Sequence, residues 1–341
     1  MPYPVHNKYD PAIRNWLFIC LVLVAVMIVL GGATRLTNSG LSITEWAPIR
    51  GALPPLSHEA WLAEFAKYQQ IPEFAEEHFD MELEGFKYIY FWEWSHRQLG
   101  RLIGLAYALP LFFFAARRRL PRGQGLKFFG ILCAIGVQGA IGWWLVASGL
   151  VNDRVDVSQY RLATHLGVAF LILAALYWLW RNQCQGWPIR ANNNRAIMPS
   201  TILAVLVFVQ IIAGAFVAGL KAGRIYNTWP MMDGDFIPDG YGQLTPFWRN
   251  IFENIPAVQF NHRVIAYAVL LAALWVIFIA RPYKRLKPHL WAVGLLVFVQ
   301  VLLGIYVLLT GDALKLALLH QFTAIFVWLA VIALMRAARK A

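Results

Sequence analysis

Charge is scarce in this chain. Of its 341 residues only 14% are Asp, Glu, Lys or Arg, against about a quarter in soluble domains, which excludes an ordinary water-facing globular surface. Acidic residues are the scarcer kind, 18 against 30 Lys and Arg. Cysteine is rarer still. Cys20, Cys133 and Cys184 lie in or just after apolar segments, so no structural disulfide is expected. No H-E-x-x-H and no cysteine cluster occurs, which removes the common zinc patterns. The first apolar run is followed by no small-residue cleavage pattern, and Met1–Asn15 is not Arg- and Ser-rich, so neither a cleaved signal nor a transit peptide is indicated.

What the chain has in abundance is apolar length. Eight stretches can cross a bilayer at roughly 20 residues each: Trp16–Ala33, Ile89–Ala116, Leu126–Ser148, Leu162–Trp180, Pro199–Leu220, Ala257–Ala280, Leu290–Leu309 and Leu314–Met335. With no water in the hydrocarbon to satisfy backbone groups, they must be helices. The fold class is therefore all-α integral membrane. The net charge of +12 is not spread as a nucleic-acid surface would be. Arg117, Arg118, Arg119, Arg122 and Lys127 follow segment two, Arg181, Arg190 and Arg195 follow segment four, Arg281, Lys284, Arg285 and Lys287 follow segment six, and Arg336, Arg339 and Lys340 close the chain. Every second connection is basic, which by the positive-inside rule makes both termini cytoplasmic. The expected location is a bacterial cytoplasmic (inner) membrane, with the lipid bilayer as partner and no nucleic acid.

The segments also repeat. Gly31, Gly40 and Trp46 match Gly214, Gly223 and Trp229 at one offset; His96-Arg97 matches His262-Arg263, Gln138-x-x-x-Gly142 matches Gln300-x-x-x-Gly304, and His165 matches His320. Two four-helix units follow, residues 1–190 and 191–341, facing the same way because each has an even number of spans. Glycines crowd the odd-numbered segments, where close helix packing in lipid is the expected reason. Two connections are long, Thr34–Tyr88 and Lys221–Pro256. In the first, Trp61, Phe65 and Tyr68 share one side of a helix expected after Ser57, which would lie on the membrane surface. Both connections are expected to act as lids over the external end of the bundle.

Ionisable residues inside a membrane are costly and point to function. Histidines occur in the second, fourth, sixth and eighth segments, His96, His165, His262 and His320, each with a small residue four positions on: Gly100, Ala169, Ala266 and Ala324. On a helix those positions share a face, leaving each imidazole beside a patch of low relief. All four lie toward one membrane face. Imidazoles meeting across a bundle with room for a plate between them point to haem ligation, His96 with His165 and His262 with His320. Zinc would want a carboxylate or thiolate among its ligands, and a proton relay leaves the small residues without a purpose. His6, His58, His78 and His289 sit in connections or at segment ends and are assigned no role.

Arg97 and Arg263 directly follow a histidine, where a guanidinium can clamp a haem propionate or simply snorkel to the interface. The halves differ in one respect. Glu93 precedes His96 by three residues, while Gln259 takes the matching place before His262. A carboxylate one turn from a ligand can take or give protons, which would put the chemistry in the N-terminal half.

The run Gly31-Gly32-Ala33-Thr34-Arg35-Leu36-Thr37-Asn38-Ser39-Gly40-Leu41-Ser42, followed by Trp46, Pro48, Gly51, Pro54 and Pro55, resembles the signature of the haem A synthase family. Glu93-x-x-His96-Arg97 and the later histidines match as well, so the resemblance covers essentially the whole chain. It implies an eight-helix enzyme that oxidises the C8 methyl group of haem O to a formyl group. It implies further that His262 and His320 hold a haem b, that His96 and His165 frame the substrate haem, and that Glu93 matters for turnover. Haem O synthase, the oxidase assembly machinery and an electron donor would be its partners. Some members carry paired cysteines in the first external loop; this chain has none there, which places it with the cysteine-poor branch. If imidazole holds both faces of the substrate iron, either His96 or His165 lets go in turnover, or oxidation removes electrons and adds water. The competing reading, a bis-histidine cytochrome b relay, wants haems toward opposite faces and has no use for Glu93. A transporter would want broken helices at mid-membrane.

Overall fold

A computed structural model describes residues 10–151, 154–185, 195–311 and 313–339. Arg190 and Lys340 of the basic connections, and His6, lie outside these residues. Eight long helices cross the structure: α1 (Pro11–Leu36), α2 (Leu83–Ala116), α3 (Gly125–Val146), α4 (Gln159–Gln185), α5 (Ile197–Gly219), α6 (Ile255–Ala280), α7 (Lys287–Leu309) and α8 (Leu314–Ala338). All eight are apolar and long enough to span a bilayer. The chain is a multi-pass all-α membrane protein. Outward-facing Leu105, Leu109 and Phe112 of α2 and Leu295, Phe298 and Leu302 of α7 are exposed, a surface that only hydrocarbon satisfies.

Helix starts follow local chemistry. Asp10 caps α1 through the Ala12 amide, with Pro11 in the first turn, and Asn254 caps α6 through the Ala257 amide, with Pro256 behind it. Inside α2, Pro110 has no N–H to give the carbonyl of Ala106. The indole Nε1 of Trp16 on α1 donates to that oxygen instead, at 2.8 Å. A proline that would otherwise orphan a buried carbonyl thus becomes the seam between α1 and α2, with the Trp16 ring stacked among Tyr107, Phe114 and Phe128.

Four helices, α1, α4, α5 and α8, form the interior; α2 and α3 flank one side, α6 and α7 the other. The packing pairs of the first four helices recur in the last four: α1 with α2 and α5 with α6, α1 with α4 and α5 with α8, α3 with α4 and α7 with α8. Between the halves α1 meets α8 and α4 meets α5. One apolar core, including Leu17, Tyr107, Leu173, Leu203, Val276 and Val331, runs through both. At the end bearing the long connections the halves are also tied by charge: Lys221 Nζ is 2.8 Å from both Glu77 Oε1 and Asp156 Oδ2, and Arg35 reaches Asp156 at 3.2 Å.

The first long connection departs from expectation. Ser57 does cap a helix, His58–Tyr68, through the Ala60 amide. Its apolar side, however, packs on protein rather than facing lipid. Phe65 and Tyr68 are buried against Leu41, Ile43, Phe86, Ile89 and Tyr90, with Trp61 at the edge. This cover is why α2 begins at Leu83 and not at Ile89: its added first turns present Phe86 to the loop helix.

Under that helix Glu73 is 3% exposed, and burial lifts its carboxyl to about 8. The Tyr68 hydroxyl lies 3.1 Å from Glu73 Oε2 and 2.6 Å from His78 Nδ1. Protonated Glu73 donating to the tyrosine oxygen, with Tyr68 donating to His78, satisfies all three. Burial also lowers His78, which suits it as an acceptor. Because the folded carboxyl holds its proton above the ordinary 4.5, its stabilising contribution is complete below that value and is lost as pH rises toward 8. Limited proteolysis of residues 37–82 should therefore run faster at about pH 9 than at about pH 6. Glu73→Gln should flatten the difference; a pH-independent cleavage rate in the parent protein would refute the assignment.

Candidate functional site

The four intramembrane histidines meet in couples, one from a flanking helix and one from an interior helix. His96 on α2 and His165 on α4 stand with ring centroids 6.5 Å apart and planes at 63°. Two imidazoles on opposite sides of one metal, with bonds of about 2.0 Å, have ring centres roughly 6 Å apart. His262 on α6 and His320 on α8 are near enough to influence one another electrostatically. His165 follows Gln159, the first residue of its helix, by the same interval as His320 follows Leu314.

What receives each ring is a glycine of the preceding odd-numbered helix. A Cβ built on Gly31 would stand 3.1 Å from His96 Nε2, one on Gly142 3.0 Å from His165 Cε1, one on Gly214 3.2 Å from His262 Cε1, and one on Gly304 3.1 Å from His320 Cε1. These glycines, expected to serve close helix packing, serve the imidazoles instead. By contrast, Gly136 and Gly139 have no neighbour within 4 Å. Glutamines one turn before three of these glycines lean on the rings. Gln138 Nε2 lies 3.5 Å from His165 Nε2, Gln210 Nε2 3.3 Å from His262 Nε2, and Gln300 Nε2 3.2 Å from His320 Nε2. The sequence showed Q-x-x-x-G twice as a mark of the repeat; the third copy, Gln210-x-x-x-Gly214, was there to be read too.

These residues fit a bis-imidazole iron. Buried His165 Nδ1 and His262 Nδ1 have no hydrogen-bond partner, nor do Gln138 Oε1 and Gln210 Oε1. Ring nitrogens left open in an apolar bundle are costly unless a metal or an acceptor takes them. Among the described residues no three His, Cys, Asp or Glu side chains gather as a metal-ion cage, so a tetrahedral zinc site is not what these pairs build. Cys20, Cys133 and Cys184 are free thiols.

Glu93 and Arg97 form one unit with the first long connection. Glu93, 3% exposed, uses both carboxylate oxygens. Oε2 accepts from Ser42 Oγ and the Ile43 amide, each at 2.8 Å, and Oε1 accepts from Arg97 at 2.6 and 3.0 Å. Arg97 also donates to the carbonyls of Ile43 and Glu45, at 2.7 and 2.8 Å. One turn further on, Arg101 donates to the carbonyls of Ala47 and Pro48. The second half repeats the device. Arg263 donates to Gln259 Oε1 and to the carbonyls of Tyr226 and Thr228, the positions matching Ile43 and Glu45. Gln259 Nε2 donates to the carbonyls of Ala222 and Ile225. The two arginines therefore fasten the long connections to the helices, a duty not read from the sequence. Arg263 Nε is left buried without a partner.

Eight membrane helices carrying four intramembrane histidines, every ring seated on a glycine and His96 facing His165, define a polytopic bundle built around its imidazoles. The COX15-CtaA profile, described as cytochrome oxidase assembly protein, matches residues 14–332, and the chain belongs to that family. It is similar to the Heme A synthase of Maricaulis maris, 50% identical over 100% of both chains. It is likewise similar to the Heme A synthases of Beijerinckia indica, 49% identical over 93% of this chain and 90% of that one, and of Paracoccus denitrificans, 47% identical over 94% and 86%.

Proposed function

We infer that the chain is a haem A synthase, oxidising the C8 methyl group of haem O to a formyl group in a bacterial cytoplasmic membrane, with both termini and the basic connections cytoplasmic. The observation that carries the reading is the facing His96–His165 pair, with His262 and His320 seated on glycines in the same way, in a chain 50% identical from end to end to a protein of that name.

Residues 1–190 form the substrate half, in which His96 and His165 take the two faces of haem O. Residues 191–341 form the cofactor half, in which His262 and His320 hold a haem b. When bound, haem b supplies one-electron transfer to or from the substrate site. Glu93, one turn from His96, holds the first long connection through Ser42 and the Ile43 amide, and we assign to it the proton released as the methyl carbon is hydroxylated. Arg97 and Arg263 stay beside their histidines as anchors of the covering loops, and a propionate reaching that end would share their positive charge. Haem O synthase and the oxidase assembly machinery stand on either side of the reaction as its supplier and consumer, and an electron donor completes it.

The test is chemical. Purified protein supplied with haem O and reductant should yield haem A on extraction, and freshly isolated protein should carry haem O or haem A beside haem b. Haem b alone, with no conversion, would instead mark an electron-transfer cytochrome.

A further inference from the structure

The four ring seats differ at one residue. In three, the residue one turn before the glycine is a glutamine: Gln138 before Gly142, Gln210 before Gly214 and Gln300 before Gly304. Gln138 and Gln300 grip twice, each also donating to the main-chain carbonyl of its own histidine at 3.0 Å. In the fourth seat, before Gly31, that residue is Met27. Its methyl carbon Cε would stand 3.3 Å from a Cβ at Gly100, one turn beyond His96. The second half has Gln210 and Ala266 at the matching positions, so the thioether and the glycine vary together. Among the described residues no side chain hydrogen-bonds to the His96 ring.

Packing does not account for the difference, because methionine and glutamine are similar in length and flexibility. What differs is the amide. In hydrocarbon an amide is costly unless partnered, so three glutamines beside three imidazoles are there for the imidazoles. With one ring nitrogen on iron the other carries the proton and must donate; the amide oxygens of Gln138 and Gln210, which have no other partner, are the acceptors that orient the ring and raise the cost of turning it away. A thioether is at most a weak acceptor, and its flexible chain lets a neighbour move.

We propose that Met27 is a positioning residue that leaves His96 the releasable axial ligand of the substrate iron, while His165, held by Gln138, stays bound. This rests on the reading of His96 and His165 as the ligands of that haem. Release breaks the dative bond between the His96 nitrogen and iron; no electron or proton is transferred in that step, and the vacated face is the one at which a small molecule binds.

Carbon monoxide reports an open face independently of turnover. Haem-loaded, dithionite-reduced protein is followed by stopped-flow absorbance with carbon monoxide as the probe. Wild type should bind it at one haem, at a rate limited by ligand release. Met27→Gln, and Met27→Gln with Gly100→Ala to reproduce the second half's pair, should slow binding at least tenfold while the low-spin spectrum and haem content persist. Met27→Leu should bind at the wild-type rate, and Gln138→Met should bind faster, because release from either face then admits the probe. An unchanged rate in haem-replete Met27→Gln overturns the proposal. If that variant fails to take up haem, a Gln138→Met protein indistinguishable from wild type overturns it equally. Failure of the underlying reading looks different: His96→Ala and His165→Ala would leave haem content and spectrum untouched.

Discussion

Replacing Glu93 by glutamine should cut haem A formation by about a hundredfold or more, the range over which a positioned proton acceptor acts, while haem b remains at His262 and His320. The geometry explains why so small a change is felt. Four hydrogen bonds end on this carboxylate, two from the Ser42 hydroxyl and the Ile43 amide and two from Arg97. An amide has one acceptor and one donor, so either Arg97 or the Ile43 N–H is left facing another donor. Breaking a buried pair from one side costs roughly 3–5 kcal/mol; the loop should loosen as well as the chemistry fail. Ser42→Ala separates the two effects, since it removes one tether and keeps the carboxylate. Turnover spared in Ser42→Ala and lost in Glu93→Gln marks the proton role, whereas parallel losses mark the anchor alone. Undiminished haem A output from Glu93→Gln would show that neither is needed. Quantifying extracted haem A against haem b gives the answer in one chromatogram.

The second large effect is expected at Gly304. Even a first side-chain carbon there would come within 3.1 Å of His320 Cε1 and 3.7 Å of its Nδ1, and the two further methyls of valine claim the ring's own space. Overpacking of this kind costs roughly 1–3 kcal/mol, and the imidazole relieves it by turning away from His262. Gly304→Val should therefore weaken haem b retention on the order of tenfold to a hundredfold. Haem content per protein, measured as the pyridine haemochrome, reads this directly. Gly139→Val is the control, because nothing lies within 4 Å of that position and its haem should stay. A full complement of haem b in Gly304→Val, with an unaltered spectrum, would mean that the glycine is not the seat of the ring.

Much of this architecture was legible beforehand because membranes punish exceptions. Apolar runs gave eight helices within a few residues of their ends, and histidines are conspicuous against such a background. What the sequence left hidden lies where polar groups find partners far away in sequence. The His58–Tyr68 helix is amphipathic, and periodicity cannot say whether its apolar side meets lipid or the first turns of α2. Arg97 and Arg263 advertise positive charge, but their carbonyl partners at Ile43, Glu45, Tyr226 and Thr228 carry no side-chain signature at all. Glu93 was visible as an oddity one turn from His96; its engagement by Ser42 and the Ile43 amide was not, since a main-chain N–H belongs to every residue type but proline. Met27 was hidden for the opposite reason. A methionine in an apolar segment looks ordinary until three counterparts prove to be glutamine.

The Glu93 and Gln259 anchors carry opposite polarity toward their loops, and this fixes which loop each helix accepts. The first loop offers a hydroxyl and an amide hydrogen to an anion; the second offers two carbonyl oxygens to an amide. Neither loop can serve the other helix, because a carboxylate set against the oxygens of Ala222 and Ile225 would repel them. A change at one partner therefore demands a change at the other, and a chimaera exchanging the loops alone should assemble poorly where one exchanging whole halves does not.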